Sequence, residues 1–122
     1  MNRLLSEIFT ALLILFSISS GAIASDNCYD TSTVHQEMIG CIQNEIARSE
    51  AQIKKVISFK SIDYGFPDDF YNKQRLAIHE RCMLYANIGG QRGELLMIQC
   101  EQSNLENLDE YIKQYIEDVD NG

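Results

Sequence analysis

His79 and Glu80, in "AIHERC", form a pair of the kind that opens a helical zinc motif. That motif needs a second histidine four positions on, where this chain has Met83, so His79 reads as a partly exposed helical residue. His35 also has no partner within reach by sequence. Paired carboxylates stand at Asp68 with Asp69 and at Asp109 with Glu110. Glycoside hydrolysis needs two carboxylates facing each other across a cleft, whereas neighbours on a helix point about 100° apart. Both pairs therefore read as solvated helix surface, and the cluster from Asp63 to Asp69 lacks the ligand order of a calcium loop. "GGQRGE", Gly89 to Glu94, has the glycines of a phosphate loop but neither its Gly-Lys-Ser/Thr ending nor a strand before it. Serines occur without a Gly-x-Ser-x-Gly turn. No nucleophile can be paired with a base, so the chain reads as non-enzymatic, with no cofactor and no metal.

The remaining reactive groups are four cysteines, Cys28, Cys41, Cys82 and Cys100. Their redox state depends on where the chain goes. Its start, "MNRLLSEIFTALLILFSISSGAIAS", has Arg3, an apolar run from Ile8 to Ile18, and small residues at Ala22 and Ala24. This is the pattern of a secretory signal over residues 1–24, with cleavage expected after Ala24. The apolar run is shorter than the roughly 18 to 20 residues that span a bilayer, so no membrane association is expected after the signal is removed. The expected destination is the periplasm or the exterior. An even number of cysteines in an oxidising compartment reads as two disulfides, and four cysteines allow three pairings. Cys82 with Cys100 closes a local loop and is preferred, together with Cys28 to Cys41. A hairpin of the first two helices also allows Cys41 to meet Cys82.

Removing the first 24 of 122 residues leaves 98, enough for one domain, residues 25–122. Arg3 and Glu7 leave together, so the net charge stays at −8. Such acidity opposes binding to nucleic acid, which requires Lys and Arg to neutralise phosphates. It suits a cationic protein partner, and equally serves solubility.

The rest of the chain is patterned as helix. From Ser32 to Lys60, apolar or small residues recur in steps of three and four at Val34, Met38, Ile42, Ile46, Ser49, Ile53, Val56 and Ile57. Ser32 or Thr33 is the expected cap, with Glu37 in support. "SIDYGFPDDF" holds the only proline and breaks the pattern. A second helix is expected from Pro67 or Asp68 to the paired glycines Gly89 and Gly90. Its stripe is Phe70, Tyr71, Gln74, Ile78, Cys82 and Tyr85, with Leu76 and Met83 off the stripe and suggesting cover on a second face. A third is expected from about Glu94 to Val119, turning Leu105, Leu108, Ile112, Tyr115 and Ile116 inward. The expected fold is all-α, a small three-helix bundle tied by two disulfides. Gln91 and Arg92 would sit at the tip of a flexible turn.

The order "STVHQEMIGC", "IARSEAQIKKV", a cysteine near the end of the second helix, a Gly-Gly turn and a fourth cysteine resembles the lysozyme-inhibitor LprI N-terminal domain family. The resemblance runs from Cys28 to about Ile112 and is firmest at Glu37-Met38 followed by Cys41. Ser49-Glu50 and Gln52-Ile53 stand where that family commonly has Ala-Asp and Leu-Asn. The second helix, "QRLAIHERC", departs from it, and the chain has no tryptophan. The resemblance implies a periplasmic protein that binds a cationic lysozyme or another cell-wall hydrolase. Gln91 and Arg92 are the expected contacts, with Asp68 and Asp69 supplying the field. Two other classes share the same signal, acidity and bridges: an immunity protein against a cell-wall-degrading toxin, and an envelope structural or assembly factor.

Overall fold

A computed structural model describes residue 28 and residues 34–122. The expected signal and both expected capping residues, Ser32 and Thr33, lie outside the described residues. Three helices carry the fold: α1, His35–Tyr64; α2, Phe70–Cys82; and α3, Gly90–Asn121. A 3-10 segment, Met83–Ile88, joins α2 to α3. No strand occurs among the described residues. No helix among them is long and apolar enough to cross a membrane.

The apolar period explains how the helices pack. Ile39, Ile42, Ile46, Ile53 and Ile57 face inward from α1, meeting Ile98, Leu105, Leu108 and Ile112 of α3. Four of these, Ile42, Ile53, Leu105 and Ile112, are fully buried. The two long helices run parallel: the His35 ring lies 3.0 Å from Glu94 at one end, and the Tyr64 hydroxyl donates to Asp120 at the other. The short α2 returns between these ends and adds Ile78 and Cys82 to the core.

The break after α1 is built from local chemistry. Gly65 ends the helix with φ 69°, a left-handed conformation that glycine adopts without steric cost. Phe66 then turns inward and packs on Phe70 at 5.3 Å and edge-on to Tyr115 at 5.5 Å. The Tyr115 hydroxyl donates to the Tyr64 carbonyl at 2.7 Å, satisfying one of the acceptors that a helix C-terminus leaves unpaired.

Several boundaries differ from the sequence expectation. Helix α1 runs a full turn past Lys60, because Gly65 rather than the first polar residue stops it. The second helix tightens into 3-10 geometry at Met83 instead of continuing to the glycines. It is covered on one face only, since Leu76 and Met83 are exposed. The third helix begins at Gly90, so "GQRG" is its first turn and not a flexible tip. Gly93 accounts for that early start. A Cβ there would lie 3.0 Å from the Tyr85 carbonyl oxygen, so only glycine lets the 3-10 backbone lie flat on the helix.

Candidate functional site

The polar residues of α2 converge on a clamp, not on a reactive centre. Arg75 donates through Nε to Glu50 of α1 at 3.2 Å and through Nη2 to Glu101 of α3 at 3.0 Å. Tyr71 donates to the same Glu50 at 2.8 Å, and the His79 ring nitrogen donates to Glu101 at 2.8 Å. One side chain of α2 thus fixes the spacing of both long helices. Among the described residues, no hydroxyl or thiol of Ser, Thr or Cys joins these hydrogen bonds. Next to the clamp, Gln102 of α3 donates to Glu45 of α1.

The charges respond to one another. Burial pushes the Glu101 carboxyl up, but hydrogen bonds from His79 and Arg75, with their charges, outweigh it and hold the group below its ordinary value. Burial likewise opposes the charge on Arg75, and Glu101 and Glu50 overcome it. Burial and the Glu50 carboxylate together push the Tyr71 hydroxyl up. A carboxyl with a depressed folded pKa stabilises the fold fully above its unfolded pKa of about 4.3, and that stabilisation is lost as pH falls through the folded value. Urea midpoints should therefore be steady down to about pH 5 and drop below about pH 4. Glu101→Gln should flatten part of that drop, and an unchanged acid limb in the variant would refute the assignment.

Both bridges follow the preferred pairing: Cys28 to Cys41 and Cys82 to Cys100. The Cys41 to Cys82 alternative is excluded. Cys28, Cys41 and Glu45 lie close together, but both sulfurs are consumed in the bridge. The second bridge anchors an exposed end of the molecule. Every residue from Met83 to Arg92 is exposed, including Met83, Leu84, Tyr85 and Ile88. Arg81 donates to Asn104 at 2.9 Å, and Asn104 donates to the Cys100 carbonyl at 2.8 Å, which stiffens the base of this end. Large apolar side chains held in water on a rigid turn mark a protein-binding surface.

Gln91 and Arg92 belong to this end, exposed in the first turn of α3. Asp68 and Asp69 do not. They lie in the turn before α2, at the Tyr115 end of α3, about 35 Å from Arg92 at 1.5 Å per helical residue. Asp69 is also paired with Lys73 at 2.7 Å, an exposed contact that draws its carboxyl down. Tyr85 escapes a sequence reading because the α-helical period places it on the inward stripe. The change to 3-10 geometry at Met83 breaks that register, and Leu84 and Ile88 stand off the stripe in either geometry.

A small bundle with two bridges and an apolar exposed end presents a surface suited to a protein partner. Residues 32–121 match the family model described as Antitoxin TsiV3. Over 121 residues the chain is 74% identical to antitoxin protein TsiV3 of Vibrio cholerae serotype O1 (strain ATCC 39315 / El Tor Inaba N16961), covering 99% of each chain. The chain belongs to the TsiV3 antitoxin family. This membership overturns the resemblance to the LprI family, and with it the reading as a lysozyme inhibitor with lysozyme as partner. The features that carried the resemblance were "STVHQEMIGC" with its Glu37-Met38 and Cys41, "IARSEAQIKKV", the order of the later cysteines and the Gly-Gly turn between them. Cysteine order and glycine turns recur in small disulfide-tied helical chains of unrelated families, so they do not fix a family.

Proposed function

We propose that the protein is an immunity protein of the periplasm that binds a cell-wall-degrading toxin and neutralises it without catalysis. The observation that carries this reading is 74% identity across 99% of an antitoxin chain. Support for the compartment comes from the signal-like start and the complete oxidation of the described cysteines. An antitoxin placed there meets a toxin that acts there, and the cell wall is the target within reach. The contact end proposed is the bridged segment, with Leu84, Tyr85 and Ile88 as apolar anchors and Gln91 and Arg92 as polar ones.

The test takes as its toxin a cell-wall hydrolase encoded beside this chain's gene. Cells exporting that toxin should lyse, and co-export of the antitoxin should keep them intact. The same antitoxin without residues 1–24 should give no protection. Leu84→Asp or Arg92→Glu should weaken binding by about tenfold or more, the usual scale for a central anchor. Failure of the purified, oxidised domain to bind the toxin at micromolar concentration would sink the reading.

A further inference from the structure

The outer face of α1 carries a second feature that the fold does not use. Arg48, Lys55, Phe59 and Ile62 follow one another in steps of seven, four and three, which keeps them within about 60° on a helix. They lie opposite the inward stripe, and all four are exposed. Phe59 is 83% exposed and Ile62 95%, so neither contributes to the core. Between them the face holds Ala51, Gln52 and Ser58, and the carboxylate of Asp63 borders its apolar end one turn beyond Phe59, about two turns from Lys55.

The charge distribution singles out the same place. The chain has 10 Lys and Arg against 18 Asp and Glu. Residues 48–60 hold four of those cations, Arg48, Lys54, Lys55 and Lys60, and one carboxylate, Glu50. Glu50 is turned away and engaged by Arg75 and Tyr71. Lys54 and Lys60 lie over the rings of Tyr71 and Tyr64. Arg75 and Lys113 are held by carboxylates, whereas Arg48 and Lys55 have no ion-pair or hydrogen-bond partner among the described residues. A strongly acidic molecule thus leaves two cations free beside two bare apolar side chains. Self-association through this face would set like charges against each other.

We propose that this stripe is a second docking surface, which lies lengthwise in a groove of the toxin that has an apolar floor and carboxylates on its rim. The inference rests on the antitoxin reading above. Phe59 and Ile62 fill the floor one turn apart, in the manner of a helix laid in a groove, while Arg48 and Lys55 pair with the rim. The negative field of the rest of the molecule turns this face toward an acidic partner and suppresses other orientations. Arg92 lies about 30 Å back along the bundle, so a toxin that engages both surfaces must lie along α1.

The experiment measures toxin binding by calorimetry for the unmodified protein, Phe59→Ala/Ile62→Ala and Arg48→Glu/Lys55→Glu. Circular dichroism and melting show that each remains folded. Both variants should bind at least about tenfold more weakly. Raising salt from 50 to 500 mM should weaken the unmodified protein far more than the charge-reversed one. Unchanged affinity in both folded variants overturns the stripe while leaving the antitoxin reading intact. Absence of toxin binding by the unmodified protein overturns both. Phosphatidylglycerol vesicles provide the third arm: vesicle binding lost in the variants, with toxin binding retained, makes the stripe a membrane face and overturns the proposal.

Discussion

Reducing both disulfides should lower stability by about 6 kcal/mol, roughly 3 from each loop, because each bridge removes closure entropy from the unfolded chain. The loops close over sequence separations of 13 and 18, so the two contributions are nearly equal. Small domains hold only about 5 to 15 kcal/mol in total, so the reduced protein should be largely unfolded at 37 °C. Urea titration with and without reductant measures this, and a midpoint that ignores the reductant would refute it. The two bridges differ in what else they hold. Cys28 is itself a core residue joined to α1, whereas Cys82 and Cys100 bracket the exposed Met83–Ile88 segment. Cys82→Ala/Cys100→Ala should therefore lose toxin binding at temperatures where it is still folded, because Leu84, Tyr85 and Ile88 no longer share one rigid frame.

Replacing Arg75 by methionine should cost about 3 kcal/mol, the range for removing one member of a largely buried ion pair. The side chains involved are shielded enough for that range to apply: Arg75 is 23% exposed, Glu50 28% and Glu101 13%. The loss comes from removing the one cation between two carboxylates on different helices, leaving Glu50 with the Tyr71 hydroxyl alone and Glu101 with His79 alone. Arg75→Lys should recover part of it, since an ammonium makes a point contact and cannot bridge two carboxylates as a guanidinium fork does. Denaturant unfolding of both variants gives the measurement. A loss below about 0.5 kcal/mol for methionine would place the clamp with ordinary surface pairs.

Much of the fold was legible because its signal is periodic. Isoleucines on α1 and leucines on α3 recur at the helical step, and the cysteine count with the signal-like start implies two bridges. The ends of the helices were less legible, since they depend on single contacts between distant residues. Gly93 marks an early start for α3 only once Tyr85 is known to press against it. The clamp is invisible for the same reason, as Glu50, Arg75 and Glu101 lie about 25 residues apart from one to the next. Phe59 and Ile62 stand off the inward stripe in the sequence, but apolar residues off a stripe are common, and exposure alone distinguishes them. The family resemblance failed because it rested on a few short matches, chiefly Glu37-Met38 with Cys41 and the cysteine order, which small disulfide-tied helical chains share.

Both bridges join cysteines that are neighbours in sequence, first with second and third with fourth. If the chain is threaded out of the cytoplasm from its N-terminus, each pair is complete before the next begins to emerge. An oxidase that links thiols in order of appearance then makes only native bonds. Maturation along that route needs a disulfide donor and no isomerase, and the bonded fold is reached without a slow round of reshuffling.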